Sequence, residues 1–151
     1  KGKFLIGTTT AAVVKGSWTS TDITCIVKKS LPAGTYDITI TPKGGTATTF
    51  PAAFRMSNPV IDSLSSTEGF EGEEITISGS YFGTKKGKVY LEYEKDGVPK
   101  KKSCPVRLWT MDPMTGDSQI IFIVPKGLDP TTYPLTIINK VGSTQTGFEV
   151  K

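Results

Sequence analysis

Residues 22–40 and 119–137 of this 151-residue chain are one segment written twice. In DITCIVKKSLPAGTYDITI and QIIFIVPKGLDPTTYPLTI, Ile23 falls on Ile120, Ile26 on Ile123, Val27 on Val124, Leu31 on Leu128, Tyr36 on Tyr133 and Ile40 on Ile137. Every pair is 97 positions apart, without a gap, and the register runs on to Gly45 and Gly142. Upstream the offset shrinks. Trp18 meets Trp109 at 91 positions, and KGKFLI (Lys1–Ile6) meets KGKVYL (Lys86–Leu91) at 85. The same spacing of apolar side chains demands the same burial, so the chain must build one supersecondary arrangement twice. The second copy has extra residues around Glu94–Lys102 and Thr110–Gly116, both rich in turn formers. Its front end, Pro59–Lys85, has no counterpart in the first copy, which opens already inside the repeat. Two domains are therefore expected, 1–57 partial and without its opening strands, 58–151 complete.

Each repeated segment alternates with period two, the pattern of a strand buried on one face. Val89, Leu91 and Tyr93 share a face, as do Ile120, Phe122 and Val124, and Tyr133, Leu135 and Ile137. The inward sets of the first copy are Phe4 and Ile6; Ile23, Cys25 and Val27; and Tyr36, Ile38 and Ile40. Turn residues punctuate them: Asp96-Gly97 predicts a hairpin, and Lys43-Gly44-Gly45 and Val141-Gly142-Ser143 break the last two strands of each copy. The second copy is expected to hold strands near 60–65, 73–81, 87–95, 103–110, 118–124, 133–139 and 145–150. So many short strands in one small domain predict an all-β fold of two tandem immunoglobulin-like sandwiches. Cys25 reads as a buried free thiol. Cys104, alternating with Val106 and Leu108, reads as facing the other core. A bridge between them is not expected, since they hold different repeat positions in different domains and a disulfide needs closely apposed backbones.

The chain has no His, which removes most Ser-His-Asp and Cys-His schemes and the commonest transition-metal ligand. Eighteen Lys and Arg against 14 Asp and Glu leave a net charge of +4, spread over strand edges and turns, where lysines discourage edge-to-edge aggregation. No stretch reaches the roughly 20 apolar residues of a membrane span. A start at Lys1, without a signal-peptide pattern, leads to the expectation of a processed or excised piece of something longer.

Two stretches carry a family resemblance. Pro59-Val60-Ile61-Asp62-Ser63-Leu64, followed by Gly72-Glu73-Glu74-Ile75-Thr76-Ile77-Ser78-Gly79-Ser80-Tyr81-Phe82-Gly83, resembles the opening of the IPT/TIG family of immunoglobulin-like domains. Leu31-Pro32-Ala33-Gly34-Thr35-Tyr36 through Thr41, with Gly44-Gly45 beyond, is similar to that family's later corner and final hairpin. The second copy departs with Asp129-Pro130-Thr131 where Pro-Ala-Gly is usual. The resemblance implies a tyrosine corner in each copy, with the hydroxyl on a backbone partner, and no catalytic residues. Family members occur in bacterial surface and secreted proteins, plexin-type receptors, some transcription factors and beside sugar-processing domains.

The functional expectation is a non-catalytic extracellular or cell-surface module of a bacterial protein, without cofactor or metal. It acts as a semi-rigid spacer and protein–protein interaction or adhesion unit, because Arg55-Met56-Ser57-Asn58-Pro59 is a short, Pro-containing junction. The expected partners are other proteins or neighbouring immunoglobulin-like domains, and the incomplete first domain invites strand exchange or self-association. The alternative is a carbohydrate-binding accessory module, with Trp18, Trp109 and Tyr90 as candidate stacking residues and Tyr81 beside them. Trp18 and Trp109 also hold equivalent repeat positions, which suits a shared packing role. Nucleic acid is disfavoured: the runs Lys28-Lys29, Lys85-Lys86-Lys88 and Lys100–Lys102 include no arginine for bidentate base contacts. The acidic turn Met111–Ser118 lacks the ordered carboxylates of a calcium loop.

Overall fold

The computed structural model describes residues 2–27 and 31–151; Lys1 and the Lys28-Lys29 run lie outside the described residues. The described chain is all-β and forms two compact units, Lys1–Ser57 and Asn58–Lys151.

The second unit holds nine strands: β7 (Val60–Leu64), β8 (Glu68–Gly69), β9 (Glu74–Ser80), β10 (Lys88–Lys95), β11 (Val98–Ser103), β12 (Val106–Met111), β13 (Asp117–Ile123), β14 (Thr131–Ile138) and β15 (Ser143–Val150). One sheet runs β11-β10-β14-β15-β8, the other β12-β13-β9-β7. The alternating residues fill the space between them: Ile77, Leu91, Ile120, Phe122, Val124, Leu135, Ile137 and Phe148 are all 0% exposed. Phe122 and Phe148 meet edge to face at 5.6 Å across that core. Complete burial of such side chains contributes about 1.5–3 kcal/mol each, which is why the period-two pattern governs the fold. The Asp96-Gly97 turn has φ of 55° and 72°, both positive as the tight hairpin turn requires. It joins β10 to β11, so the insertion around Glu94–Lys102 is a lengthened hairpin.

Two expectations need correction here. The strand placed at 103–110 begins only at Val106: β11 ends at Ser103 and β12 runs Val106–Met111, in a different sheet. Pro105 has no N–H to continue a ladder, and the chain crosses there from β11 to β12, with the Cys104 N–H on the Val89 carbonyl (2.9 Å) and the Ile123 N–H on the Pro105 carbonyl (2.8 Å). The alternation Cys104–Val106–Leu108 also breaks: the register of β12 against β13 shifts between Val106 and Leu108, so Trp109, not Leu108, stands opposite Ile120 and packs on the core. Cys104 itself is buried. The short β8, outside the expected strands, pairs parallel to β15 and sets Glu68 beside Glu149. Lys151 bridges the two carboxylates at 3.0 and 2.7 Å, and those hydrogen bonds raise its pKa.

The first unit holds β1 (Lys3–Ile6), β2 (Thr9–Thr10), β3 (Ala12–Val13), β4 (Cys25–Ile26), β5 (Gly34–Thr41) and β6 (Thr48–Met56), in sheets β2-β1-β5-β6 and β3-β4. The repeat reappears as register. Phe4 faces Ile40 and Ile6 faces Ile38, just as Val89 faces Ile137 and Leu91 faces Leu135. The last hairpin differs. The register of β5 against β6 shifts between Tyr36 and Ile38, Ala52 takes φ 51°, and the Asp37 carboxylate accepts its N–H at 2.8 Å. Cys25 corrects another expectation: it is half-buried, because among the described residues β4 pairs with β3 alone.

Candidate functional site

The tyrosine corners form as the sequence implies. The Tyr36 hydroxyl donates to the Pro32 carbonyl at 2.9 Å and the Tyr133 hydroxyl to the Asp129 carbonyl at 2.8 Å, each four residues back and at equivalent repeat positions. Burial of Tyr133, reinforced by the Asp129 charge, raises its pKa against the opposing pull of that hydrogen bond.

Of the three candidate stacking residues, Trp109 and Tyr90 belong to the second unit and Trp18 to the first. Trp109, turned inward past the bulge, lies 6.2 Å from Phe82, and its indole N–H donates to the Gly83 carbonyl at 2.8 Å. Tyr90 lies on the outer face of β10, with the Lys101 ammonium 5.8 Å from its ring centroid. That lysine also pairs with Glu92 at 2.8 Å. Trp18 belongs to the first unit, half-buried against its apolar cluster.

One end of the second sandwich carries a different aromatic. Tyr81 is 44% exposed and its backbone sits at φ 61°, a conformation costly for a residue with a side chain. The surrounding loops hold it there. Its N–H donates to the Gly116 carbonyl at 2.9 Å, and Asn139 Nδ2 donates to the Tyr81 and Phe82 carbonyls at 2.9 and 3.1 Å. The ring lies against Gly116, where an added Cβ would come within 2.6 Å of it. Met114, 94% exposed, lies in the neighbouring loop, where the Asp112 carboxylate accepts the Met114 N–H at 2.7 Å. That carboxylate is engaged by the turn it builds. Asn139 and Gly116 escaped the sequence reading; the Asn ahead of Val141-Gly142 was the available signal, since its side chain caps that turn at 2.8 and 3.0 Å.

A concavity opens inside the five-stranded sheet. The ladder of β10 with β14 ends at Leu91–Leu135, because the next pair would set Glu92 against Pro134, which has no N–H to give. The strands part there and leave a cleft of about 800 Å³, with Glu92, Glu94, Lys95, Pro99, Asp129 and Tyr133 among its walls. Three carboxylates, a lysine and the side chains of Thr131, Thr132 and Tyr133 line it, groups suited to polar contacts. Among the described residues no three His, Cys, Asp or Glu side chains gather as a metal site, and no helix is long and apolar enough to cross a membrane.

The IPT/TIG domain model matches residues 59–150. No match was found among the curated proteins. Among solved structures, a Bacteroides thetaiotaomicron protein of unknown function is similar at 21% identity and TM-score 0.48, over 63% of this chain and 22% of that one. The gamma-CGTase of alkalophilic Bacillus clarkii is similar at 21% identity and TM-score 0.48, over 97% of this chain and 22% of that one. A surface glycan-binding protein of Prevotella bryantii is similar at 18% identity and TM-score 0.46, over 97% of this chain and 33% of that one. The chain thus spans between about a fifth and a third of the length of these proteins.

Proposed function

The chain belongs to the IPT/TIG family, and from that premise we propose that it is a non-catalytic immunoglobulin-like module of an extracellular or cell-surface bacterial protein, serving as a semi-rigid spacer and protein-interaction unit. The observation that carries the reading is the junction. Strand β6 ends at Met56 and β7 begins at Val60, so only Ser57, Asn58 and Pro59 intervene, and Pro59 is buried. A three-residue connection with a fixed proline φ leaves few torsions free, the regime of a stiff spacer. The first unit is read as the later half of the same sandwich, and both tyrosine corners support this.

The carbohydrate-binding alternative draws little support from its proposed side chains: Trp109 is engaged by Phe82 and Gly83, and Tyr90 by Lys101. The spacer reading is tested with spin labels at K43C and K140C on a C25S background, Cys104 being buried. Pulsed electron resonance should give one narrow distance distribution, which broadens when six Gly/Ser residues are inserted after Ser57. A distribution in the unmodified chain as broad as in the insertion variant would refute a stiff junction.

A further inference from the structure

Strands β10 and β14 lie side by side only from Lys88–Ile138 to Leu91–Leu135, yet neither strand ends there. β10 stays paired with β11 as far as Lys95–Val98, and β14 stays paired with β15 as far as Thr131–Val150. The fork between them is therefore bounded by two formed strands, each with one free edge. Alternation fixes which groups stand on those edges. The Cys104 N–H binds the Val89 carbonyl, so Val89, Leu91, Tyr93 and Lys95 turn their main-chain groups to β11, and Glu92 and Glu94 turn theirs to β14. The Asn139 N–H binds the Gly142 carbonyl, so by the same rule Thr132 and Pro134 face β10. Among the described residues nothing pairs with the main-chain groups of Glu92, Glu94 and Thr132 on this side. Pro134, with no N–H, stops the two strands from closing on each other. An edge left free in this way is a template for another strand.

The two faces of the fork differ. Tyr93, Leu128 and Tyr133 line it and belong to the packed core of the second unit, which gives it an apolar floor. Glu92 and Glu94 alternate with Tyr93 and stand on the other face of β10. Glu92 is taken by the Lys101 ammonium at 2.8 Å. Glu94 and Asp129 hold no ion pair among the described residues. Lys95 is the one cation among the lining residues, against three carboxylates. Lys102 comes near only at Gly127, its Nζ 3.9 Å from where a side chain there would begin.

We propose that the fork is a strand-addition site for an extended segment of a protein partner in which apolar residues alternate with Lys or Arg. It rests on the protein-interaction reading above and names the kind of segment that reading needs. The segment runs antiparallel to β10 and pairs with the main chain of Glu92 and Glu94. Residues directly opposite in such a pair share a face, so a cation of the segment meets Glu94 and its apolar neighbours lie on Tyr93, Leu128 and Tyr133. The main-chain ladder supplies affinity, and the apolar floor with Glu94 and Asp129 sets the register.

The probe is a capped heptapeptide alternating Val and Lys, added to the full chain and read by amide hydrogen exchange. The Glu92 and Glu94 amides should exchange freely in the chain alone and slow by about tenfold or more with the peptide. The same peptide N-methylated along its backbone keeps its charge, loses its ladder and should protect nothing. A peptide alternating Val and Glu should bind about tenfold more weakly or worse, a preference that fades in high salt and in a chain carrying E94Q and D129N. P134T, which returns an N–H to the fork, should let β10 and β14 close, protect both amides without peptide and abolish binding. Slow exchange in the original chain alone, no protection at millimolar peptide, equal protection by the N-methylated peptide, or binding that P134T leaves intact overturns the proposal. So does protection that grows with protein concentration alone, which makes a second copy the occupant. Equal binding of the Lys and Glu peptides overturns the cationic character assigned to the segment. The spin-label distances report the junction separately: a chain that ignores the peptide but keeps its narrow distribution loses this proposal and keeps the spacer reading.

Discussion

Tyr36 and Tyr133 show how a single side chain can carry a fold. Each buries ring area and ties a corner through one hydroxyl, at positions 97 residues apart, because only a long amphipathic side chain spans from strand to corner carbonyl. Cys25 and Cys104 make the contrasting case: one residue type, two fates set by neighbours. Cys104 is 3% exposed and desolvation pushes its pKa up to about 12, partly offset by a hydrogen bond with the Leu91 backbone. An unfolded thiol ionises near its ordinary value of 9.0, so between there and about 12 the unfolded chain binds fewer protons than the folded one. Stability from this group is therefore whole below pH 9 and falls as pH rises toward 12. Urea midpoints from pH 8 to 11 should drop more steeply for the original chain than for C104A; parallel slopes would contradict the assignment. The alternation made Cys104 legible as buried. Nothing in the local pattern showed that Cys25 lacks cover, because that depends on a strand distant in sequence.

Strand β9 combines these requirements. Ile75 and Ile77 face the core, while Gly79 has no room for a side chain: a Cβ there would strike the Val60 carbonyl and come within 2.6 Å of the Phe82 ring. Relief would need β7 and the Phe82 plug to move together, so G79A should cost about 2 kcal/mol or more, in the range of overpacked cores. Chemical denaturation of the second unit measures it, and a loss under about 0.5 kcal/mol, the size of an ordinary surface change, would show that the strand gives way. The Asp-Gly hairpin and most strands were readable because each rests on local rules. The crossing at Pro105 and the bulge that turns Trp109 inward were not. Period two holds only while pairing is regular, and one extra residue exchanges the faces of all that follow.

The two units of the molecule have unequal cores, and their stabilities should differ accordingly. The second buries nine side chains at 0% exposure; among the described residues the most buried of the first, Ile6, is 3% exposed, and most of its cluster is half-buried. Calorimetry should show two transitions, the first unit melting lower. Ile77→Ala should lower only the upper one, by the about 2–5 kcal/mol of a large-to-small core change. A single transition shifted as a whole would mean that the units unfold together. Periodicity, turn chemistry and self-similarity were enough to read an all-β chain, its repeat, its inward faces and its paired tyrosines, because each is a property of neighbours along the backbone. Which sheet a strand joins, where β10 and β14 part, which aromatic is consumed by packing and which core is left uncovered all depend on residues far apart in sequence meeting in space. Those were decided only when the strands found their partners.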